Sequence, residues 1–392
     1  MLDPRTGLPG FGAAMMSPPT SSQRFGFRYS NALPVILFPK HMGERGESRM
    51  TVLYTPLCER LGVELPIVQA PIGSAAAPQL VAAVAEAGGL GMLALTWRGP
   101  EQARHDIGLV RRLTGRPFAA NLVLDFPVAD TLSVCLDEGV PIISTFWGDP
   151  AQVSRQIHEA GALHMHTVGS VAEAVAAADH GVDVIVAQGW EAGGHVRGTT
   201  TTMVLVPAVV DAVGPIPVMA AGGIGDGRGV AAALALGAQG VWLGTRFVAT
   251  VEAFTHDAYR QHVLSAAAED ATYTHCFDGG WPDAPHRALR NETLQRWEKA
   301  GSPPAPRRPG EGDTVAIDAA GRTHHRYEDL MPLPGMTGDV ADMALYAGQS
   351  VQLVHDVRPA GQVVRDIAAQ AAAAFEQLGH ATRHVADRAE QR

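Results

Sequence analysis

The sequence predicts an α/β protein built as a (β/α)₈ TIM barrel. From about Leu61 onward, short apolar runs bounded by Gly or Pro alternate with longer Ala-rich stretches of helical period. The short runs are apolar at successive positions, which is typical of parallel strands buried on both faces. Eight such units recur at a spacing of roughly 25 residues, which favours a closed barrel over an open sheet.

The predicted elements follow directly from this alternation. The eight predicted strands are Leu65–Ala70, Leu90–Leu95, Phe118–Leu124, Pro141–Phe146, Leu163–Thr167, Asp183–Ala187, Pro217–Ala221 and Gly240–Gly244. The helix-like segments between them include Pro78–Ala87, Glu101–Leu113, Ala151–Ala160, Val171–Asp179 and Gly227–Leu236.

Composition and charge restrict the class of protein. The chain has 392 residues, of which 46% are hydrophobic and 18% charged, which is enough for a large core in one or two domains. The formal net charge of −10 argues against nucleic acid or an anionic membrane as the main partner. Cys58, Cys135 and Cys276 lack CxxC spacing, which fits a reducing cytosol. The apolar stretches are interrupted, so no membrane helix or signal peptide is predicted, and we expect a cytoplasmic protein.

Four regions are predicted along the chain. Residues 1–49 are rich in Pro, Gly, Ser and Arg without periodicity, and we expect a poorly ordered extension there, with a docking arm as the alternative. Residues 50–254 form the barrel. The rhythm fails after about Val251, and the Pro-rich, charged region 255–335 is predicted to be a cap or lid. Residues 336–392 are expected to contain closing helices, from Asp339 to about Ala381, and a tail.

The loop after the sixth predicted strand carries the most informative residues. Function in TIM barrels lies on the loops at the carboxyl ends of the strands. In Gln188–Gly198, five of the eleven residues are Gly or Ala, so backbone can approach a ligand closely. His195 within this loop is a candidate base near neutral pH. The alternative is a histidine that caps a turn.

The loops after the seventh and eighth strands predict a phosphate site. Ala221–Gly229 and Gly244–Phe247 supply glycines, a helix N-terminus and the Thr245 hydroxyl, as in the usual phosphate site of this fold. Arg246 would pair either with the phosphate or with an acidic neighbour. Glycines that only form tight turns are the alternative interpretation, and the absence of GxGxxG disfavours a Rossmann fold.

Several other side chains are open to two interpretations. The small residues Gln69–Gly73 and the amide of Asn121 suit a flat heterocycle at the barrel mouth. His164 and His166 alternate on one predicted strand and so share a face; a metal pair would need further ligands, and a barrel-lining or packing role is favoured. Trp97 and Trp147 follow the second and fourth strands, where each either lines the mouth or packs.

Four segments are informative when they are taken together: Pro66–Ile72, Gln188–His195, Pro217–Ile224 and Gly240–Arg246. They resemble the nitronate monooxygenase family, formerly called 2-nitropropane dioxygenases, and the Gly348–Ser350 segment is also similar. The similarity runs from about Pro66 to about Pro359. The Glu-Ala-Gly-Gly-His run is its most specific part, although FMN-dependent enoyl reductases of fatty-acid synthesis share much of that run.

The resemblance implies an FMN at the barrel mouth and His195 as the catalytic residue. Ala70, Pro71 and Ile72 would lie beside the isoalloxazine ring, with Asn121 and Gln188 as polar contacts. The residues implied on the phosphate side are Gly193, Gly222, Gly223, Gly244 and Thr245.

The activity that the resemblance implies is the oxidation of alkyl nitronates or nitroalkanes with O₂. The alternative is an NAD(P)H-dependent FMN reductase that acts on an enoyl or related conjugated thioester. A third candidate is a phosphate-binding barrel without redox chemistry. The expected partners are a small-molecule substrate with O₂ or NAD(P)H, and a homodimer is left open.

Overall fold

The computed structural model describes Ile36–Leu37 and residues 53–390, with side chains described from 53 to 379. The two-residue strand Ile36–Leu37 pairs antiparallel with Leu53–Tyr54, and the helix Pro56–Leu61 follows. The rest of the predicted extension 1–49 lies outside the described residues.

Eight parallel strands form the centre of the protein, one for each predicted strand. The strands are β1 Ile67–Gln69, β2 Gly91–Ala94, β3 Phe118–Val123, β4 Ile142–Phe146, β5 Leu163–Val168, β6 Val184–Gln188, β7 Val218–Ala221 and β8 Gly240–Leu243. In sheet order β1 neighbours β8, and the order continues β7, β6, β5, β4, β3, β2. A parallel bridge between Val68 and Leu90 closes the ring, and the Leu90 N–H donates to the Ile67 carbonyl at 2.9 Å. The predicted TIM barrel is therefore confirmed.

Helices follow every barrel strand. Two of them begin with proline at the first helical position, where a missing N–H leaves no hydrogen bond unmade. None of the helices in the described part of the chain is long and apolar enough to cross a membrane. The helices are Pro78–Glu86, Pro100–Leu113, Ala129–Asp137, Ala151–Glu159, Val171–Asp179, Thr202–Val213, Gly227–Ala235 and the short Thr245–Val248.

The barrel strands are buried on both faces, as their apolar runs predict. Met92, Met165 and Met219 point into the barrel interior, where side chains from alternate strands fill the space. On the outside, a Cβ atom at Gly91 would lie 2.2 Å from the Val81 carbonyl oxygen. Only glycine therefore allows the helix Pro78–Glu86 to pack this closely on β2.

The region after the barrel contains two small antiparallel sheets. In the first, Ala271–Thr274 pairs with His286–Leu289, which also pairs with Gly194–His195 in the loop after β6. A strand of the predicted cap region is thus hydrogen-bonded to the His195 loop. The other elements are the helices Asp257–Ser265 and Glu292–Lys299, a 3₁₀ turn Ala268–Asp270, and a sheet of Thr314–Ile317, Thr323–His325 and Thr337–Gly338.

The closing region is less helical than predicted. The expected helices from Asp339 are two short 3₁₀ turns, Val340–Asp342 and Gln349–Leu353, before one long helix, Ala360–Glu390. The residues between the turns and before the helix bond to other elements instead: the Leu289 N–H donates to the Leu345 carbonyl, and the Gly348 N–H donates to the Thr245 hydroxyl. Backbone that is hydrogen-bonded outward in this way cannot form a helix.

His164 and His166 lie between the barrel sheet and a surrounding helix. The Thr145 hydroxyl bridges His164 Nε2 and His166 Nδ1 at 2.7 and 2.8 Å, and Ser154 Oγ lies 2.8 Å from His164 Nδ1. These ring nitrogens of His164 and His166 therefore take part in hydrogen bonds that hold packed side chains together. Burial lowers the pKa of His164 to about 3 and that of His166 to about 4.

Buried neutral histidines make stability depend on pH. Between about pH 6.5 and pH 4 an unfolded His166 is protonated whereas the folded one is neutral, so the unfolded state binds more protons and stability falls as pH falls through this window. We expect His166→Gln to make the pH dependence of the unfolding free energy shallower by about 1.4 kcal/mol per pH unit. Urea unfolding measured from pH 6.5 to about pH 5 tests this.

His105→Gln is the matched control, because it makes the same change at an exposed histidine. An unchanged slope for His166→Gln would show that His166 does not titrate on unfolding.

Candidate active site

A cavity of about 470 Å³ lies at the carboxyl ends of the barrel strands. Its wall is formed by loops of the barrel and by residues of the region after β8. The residues predicted as a site are brought together there: Ala70, Pro71, Ile72, Asn121, Gln188, Gly193, His195, Gly222, Gly223, Gly244 and Thr245 all line it. Their individual roles stay predictions.

His195 lines the cavity from the two-residue strand after β6. Its side chain is 11% exposed, and Nε2 is buried without a hydrogen-bond partner among the described residues. Because a buried imidazole is penalised when charged, burial lowers the pKa of His195 to about 3. His195 is therefore a neutral imidazole at physiological pH.

Asp329 and Tyr346 lie beside His195. Asp329 Oδ2 lies 3.7 Å from His195 Nε2, and Asp329 Oδ1 accepts a hydrogen bond from the Tyr346 hydroxyl. Both residues line the cavity. The sequence analysis missed them, because they come from segments with no periodic pattern. Of the two, only Tyr346 lies near a segment that the sequence analysis singled out, because it comes two residues before Gly348–Ser350.

Aromatic side chains form the mouth of the cavity. Trp281 stacks on His195 with ring centroids 4.1 Å apart. Phe126 packs edge-on against Trp281 and Trp97, with centroids 5.2 and 5.3 Å apart. Trp97 thus lines the mouth and is 56% exposed, whereas Trp147 lies outside the lining and supports Trp281 from behind at 4.9 Å.

Gln188 presents an unpaired acceptor at the cavity. Its Nε2 donates to the His195 carbonyl at 3.0 Å, which fixes the amide at the end of β6. Its Oε1 is buried and has no partner among the described residues. An unmatched buried acceptor is unfavourable, so this atom is suited to an N–H donor of a ligand.

The glycines after β7 and β8 present backbone at the opposite side of the cavity. Gly222 and Gly223 have φ of 98° and 71°, a conformation that favours glycine. In the described part of the chain, the N–H groups of Gly222, Gly223 and Gly244 form no backbone hydrogen bond. Free amides near the start of the short helix Thr245–Val248 are suited to an anionic oxygen.

Two charged residues near the predicted phosphate site are engaged within the protein. Asp226 caps the helix Gly227–Ala235 and accepts the N–H groups of Arg228 and Gly229 at 2.9 and 3.3 Å. Arg246 pairs with an acidic neighbour, the second of its two expected partners: its guanidinium donates to Asp356 Oδ1 at 2.7 Å. Neither Asp226 nor Arg246 lines the cavity.

Arg287 holds the Gly-rich loop in place. This side chain is 1% exposed and donates to the carbonyls of Trp190, Ala192 and Ala271 at 2.8, 3.1 and 2.8 Å. Its guanidinium also stacks on the Trp190 ring at 4.6 Å. Charge-assisted bonds to backbone carbonyls are strong, so Arg287 fixes the path of the chain that leads to His195.

The arrangement defines what the site can do chemically. Among the described lining residues, Asp329 is the one acid and His195 the one histidine, and none is Lys or Arg. The wall thus combines an apolar mouth, a neutral imidazole, an unpaired amide oxygen and free backbone amides. Such a site is able to bind a flat heterocycle with an anionic tail and to move a proton beside it.

Solved structures resemble this fold closely. FabK from Thermotoga maritima superposes with a TM-score of 0.71 at 31% identity, over 85% of this chain and 99% of that chain. The nitroalkane oxidase from Streptomyces ansochromogenes gives a TM-score of 0.67 at 32% identity, over 82% and 99%.

Sequence comparison identifies the family. A Mycobacterium tuberculosis protein named (3aS,4S,5R,7aS)-5-hydroxy-7a-methyl-1-oxo-octahydro-1H-indene-4-carboxyl-CoA dehydrogenase is 39% identical over 249 residues, 63% of this chain and 69% of that protein. The family model described as nitronate monooxygenase, a family that is generally flavin-dependent, matches residues 54–131 and 126–370. The chain therefore belongs to the nitronate monooxygenase family of oxidoreductases.

Proposed function

We propose that this protein binds FMN and oxidises small nitroalkanes and their nitronates with O₂. The observation that carries the proposal is His195, a neutral imidazole in the wall of a cavity whose other lining is mostly apolar. Family membership and the fold similarity to a nitroalkane oxidase support it.

The residues present fit an FMN. The unpaired Gln188 Oε1 suits an N–H group of the isoalloxazine ring, and the small residues Ala70 and Pro71 leave room beside it. The free amides of Gly222 and Gly223 suit the phosphate. Bound there, FMN would supply the two-electron acceptor that O₂ reoxidises.

His195 would act as the base toward a neutral nitroalkane. A C–H bond next to the nitro group breaks, the proton moves to the imidazole, and the electron pair stays on the substrate carbon as the nitronate. Because burial lowers the pKa of His195, the imidazole is unprotonated in the neutral range and has a lone pair that can accept the proton. A nitronate that is already ionised needs no such step.

A second candidate is an NAD(P)H-dependent FMN reductase of a conjugated thioester. The similarity to a protein named as a carboxyl-CoA dehydrogenase favours it. The described lining of the cavity offers no Lys or Arg to pair with the phosphates of a CoA group, so that group would lie outside the aromatic mouth. The two candidates differ in which compound reduces the flavin.

Anaerobic absorbance titration separates the candidates. We expect the purified protein to carry the yellow flavin spectrum and an alkyl nitronate to bleach it, with O₂ restoring the colour. Bleaching by NAD(P)H and not by nitronate would support the reductase instead. A protein that binds no flavin, even with added FMN, would contradict both.

Replacement of His195 should separate the two nitro substrates. We expect His195→Asn to lower kcat/KM for a neutral nitroalkane by about 10²- to 10⁴-fold, the usual contribution of a positioned base. Turnover of the preformed nitronate should change far less, because its proton is already gone. Oxygen consumption with each substrate measures the split, and equal losses would argue against a role as base. The exposed His105→Asn is the matched control.

A glycine pair tests the FMN site. Gly222→Ala and Gly237→Ala both place alanine at a φ near the left-handed region, 98° and 95°, at about 1–2 kcal/mol of strain each. Only Gly222 lines the cavity, and its added Cβ would lie 2.8 Å from the Gly189 carbonyl oxygen. We expect Gly222→Ala to weaken FMN binding by roughly tenfold or more, and Gly237→Ala to leave it unchanged. Equal FMN affinities in fluorescence titration would place the phosphate elsewhere.

A further inference from the structure

We propose that Asp329, held by Tyr346, is the positioning residue that directs the Nε2–H of His195 away from the substrate and stabilises the imidazolium after proton transfer. The inference rests on the proposed role of His195 as a base. It assigns a reaction role to the region after β8, since both residues come from that region rather than from the barrel.

The geometry brings the carboxylate to one nitrogen of the ring. Asp329 Oδ2 and His195 Nε2 are 3.7 Å apart, and each side chain is 11% exposed. This separation is too long for a hydrogen bond, but catalytic contacts are often long before substrate binds and shorten in the complex. Nε2 is buried and has no hydrogen-bond partner among the described residues, so the Asp329 carboxylate is available to pair with it.

Tyr346 fixes the carboxylate in that orientation. Its hydroxyl donates to Asp329 Oδ1, which leaves Oδ2 for the imidazole. The Tyr346 backbone is itself held, because Tyr259 donates to its carbonyl and Ala288 forms a bridge with it. Burial raises the pKa of Asp329 above its usual value, and the hydrogen bond from Tyr346 and the nearby His286 offset part of that rise in favour of the carboxylate.

The tautomer decides which nitrogen serves as the base. With its hydrogen on Nε2, directed at Asp329, neutral His195 keeps the lone pair of Nδ1 for the substrate proton. When the substrate C–H bond breaks, a new Nδ1–H bond forms and the electron pair remains on carbon. The resulting positive charge on the ring then faces the Asp329 carboxylate. A carboxylate beside a catalytic histidine sets the tautomer and stabilises the imidazolium in the same manner in serine proteases.

Neighbouring groups do not replace Asp329. His286 is 5.5 Å from His195 by ring centroids, but its Nδ1 lies 3.1 Å from the Ala284 carbonyl and its Nε2 accepts the Phe277 N–H at 3.2 Å. Both of its nitrogens are therefore engaged. Trp281 already sets the plane of the His195 ring by stacking. The role left for Asp329 is to set the tautomer of His195 and to stabilise the positive charge on its ring.

The test combines a spectroscopic and a kinetic readout on the FMN-loaded full chain. The tautomer of His195 is read from the ring ¹⁵N shifts of histidine-labelled protein, with His195→Asn to assign the signal. In the wild type we expect Nε2–H at neutral pH. In Asp329→Asn we expect this preference to be lost, and kcat/KM for a neutral nitroalkane to fall about 10- to 100-fold with nitronate turnover nearly unchanged. Tyr346→Phe should show a smaller change in the same direction.

A carboxylate outside the cavity provides the control. Asp339→Asn removes an exposed carboxylate of the same region outside the cavity and should behave as the wild type. If Asp329→Asn loses FMN or its fold, Tyr346→Phe decides, since it removes one hydroxyl. An Nδ1–H tautomer in the wild type, or an unchanged tautomer in both variants, overturns the positioning role. A protein that turns over no nitro compound but shows the tautomer change would contradict the proposed function and leave the role of Asp329 standing.

Discussion

The site depends on one short antiparallel pairing, between Gly194–His195 in the loop after β6 and His286–Leu289 in the region after β8. This pairing joins the backbone of the Gly-rich loop at His195 to the region after β8. Arg287, from the same strand, adds bonds to the carbonyls of Trp190 and Ala192 on that loop. The barrel supplies the position of His195, and the later region supplies its orientation.

The same pairing determines the electrostatics. Trp281 lies on one face of the imidazole, Asp329 and Tyr346 lie beside it, and the side chains of His195 and Asp329 are each only 11% exposed. In water an imidazole and a carboxylate would each be solvated, and their interaction would be weak. In this enclosure desolvation keeps His195 neutral, whereas a charge formed on the ring would interact strongly with the carboxylate. The wall thus favours a base that is neutral before proton transfer and stabilised after it.

Sequence alone predicted what is local and periodic. The eight strands follow from runs buried on both faces, and the loop residues His195, Gly222 and Gly244 follow from their places after strands, because a closed barrel brings all strand ends together. Asp329 and Tyr346 were not predictable in this way, since no period relates them and they meet His195 only through the pairing of strands far apart in sequence. Arg246 was ambiguous for a similar reason: its partner, Asp356, is distant in the chain.

Close contacts between backbones also connect the segment around Gly348 to the site. A Cβ at Gly193 would lie 2.2 Å from the Gly348 nitrogen, and the Gly348 N–H donates to the Thr245 hydroxyl. The segment around Gly348 therefore touches both the loop after β6 and the loop after β8, and it leads directly from Tyr346. A displacement of this segment would move the two loops and the hydroxyl that holds Asp329 at the same time. The glycines are required there because the contact is between backbones, and the residues that hold His195 and those that line the proposed FMN site form one connected structure.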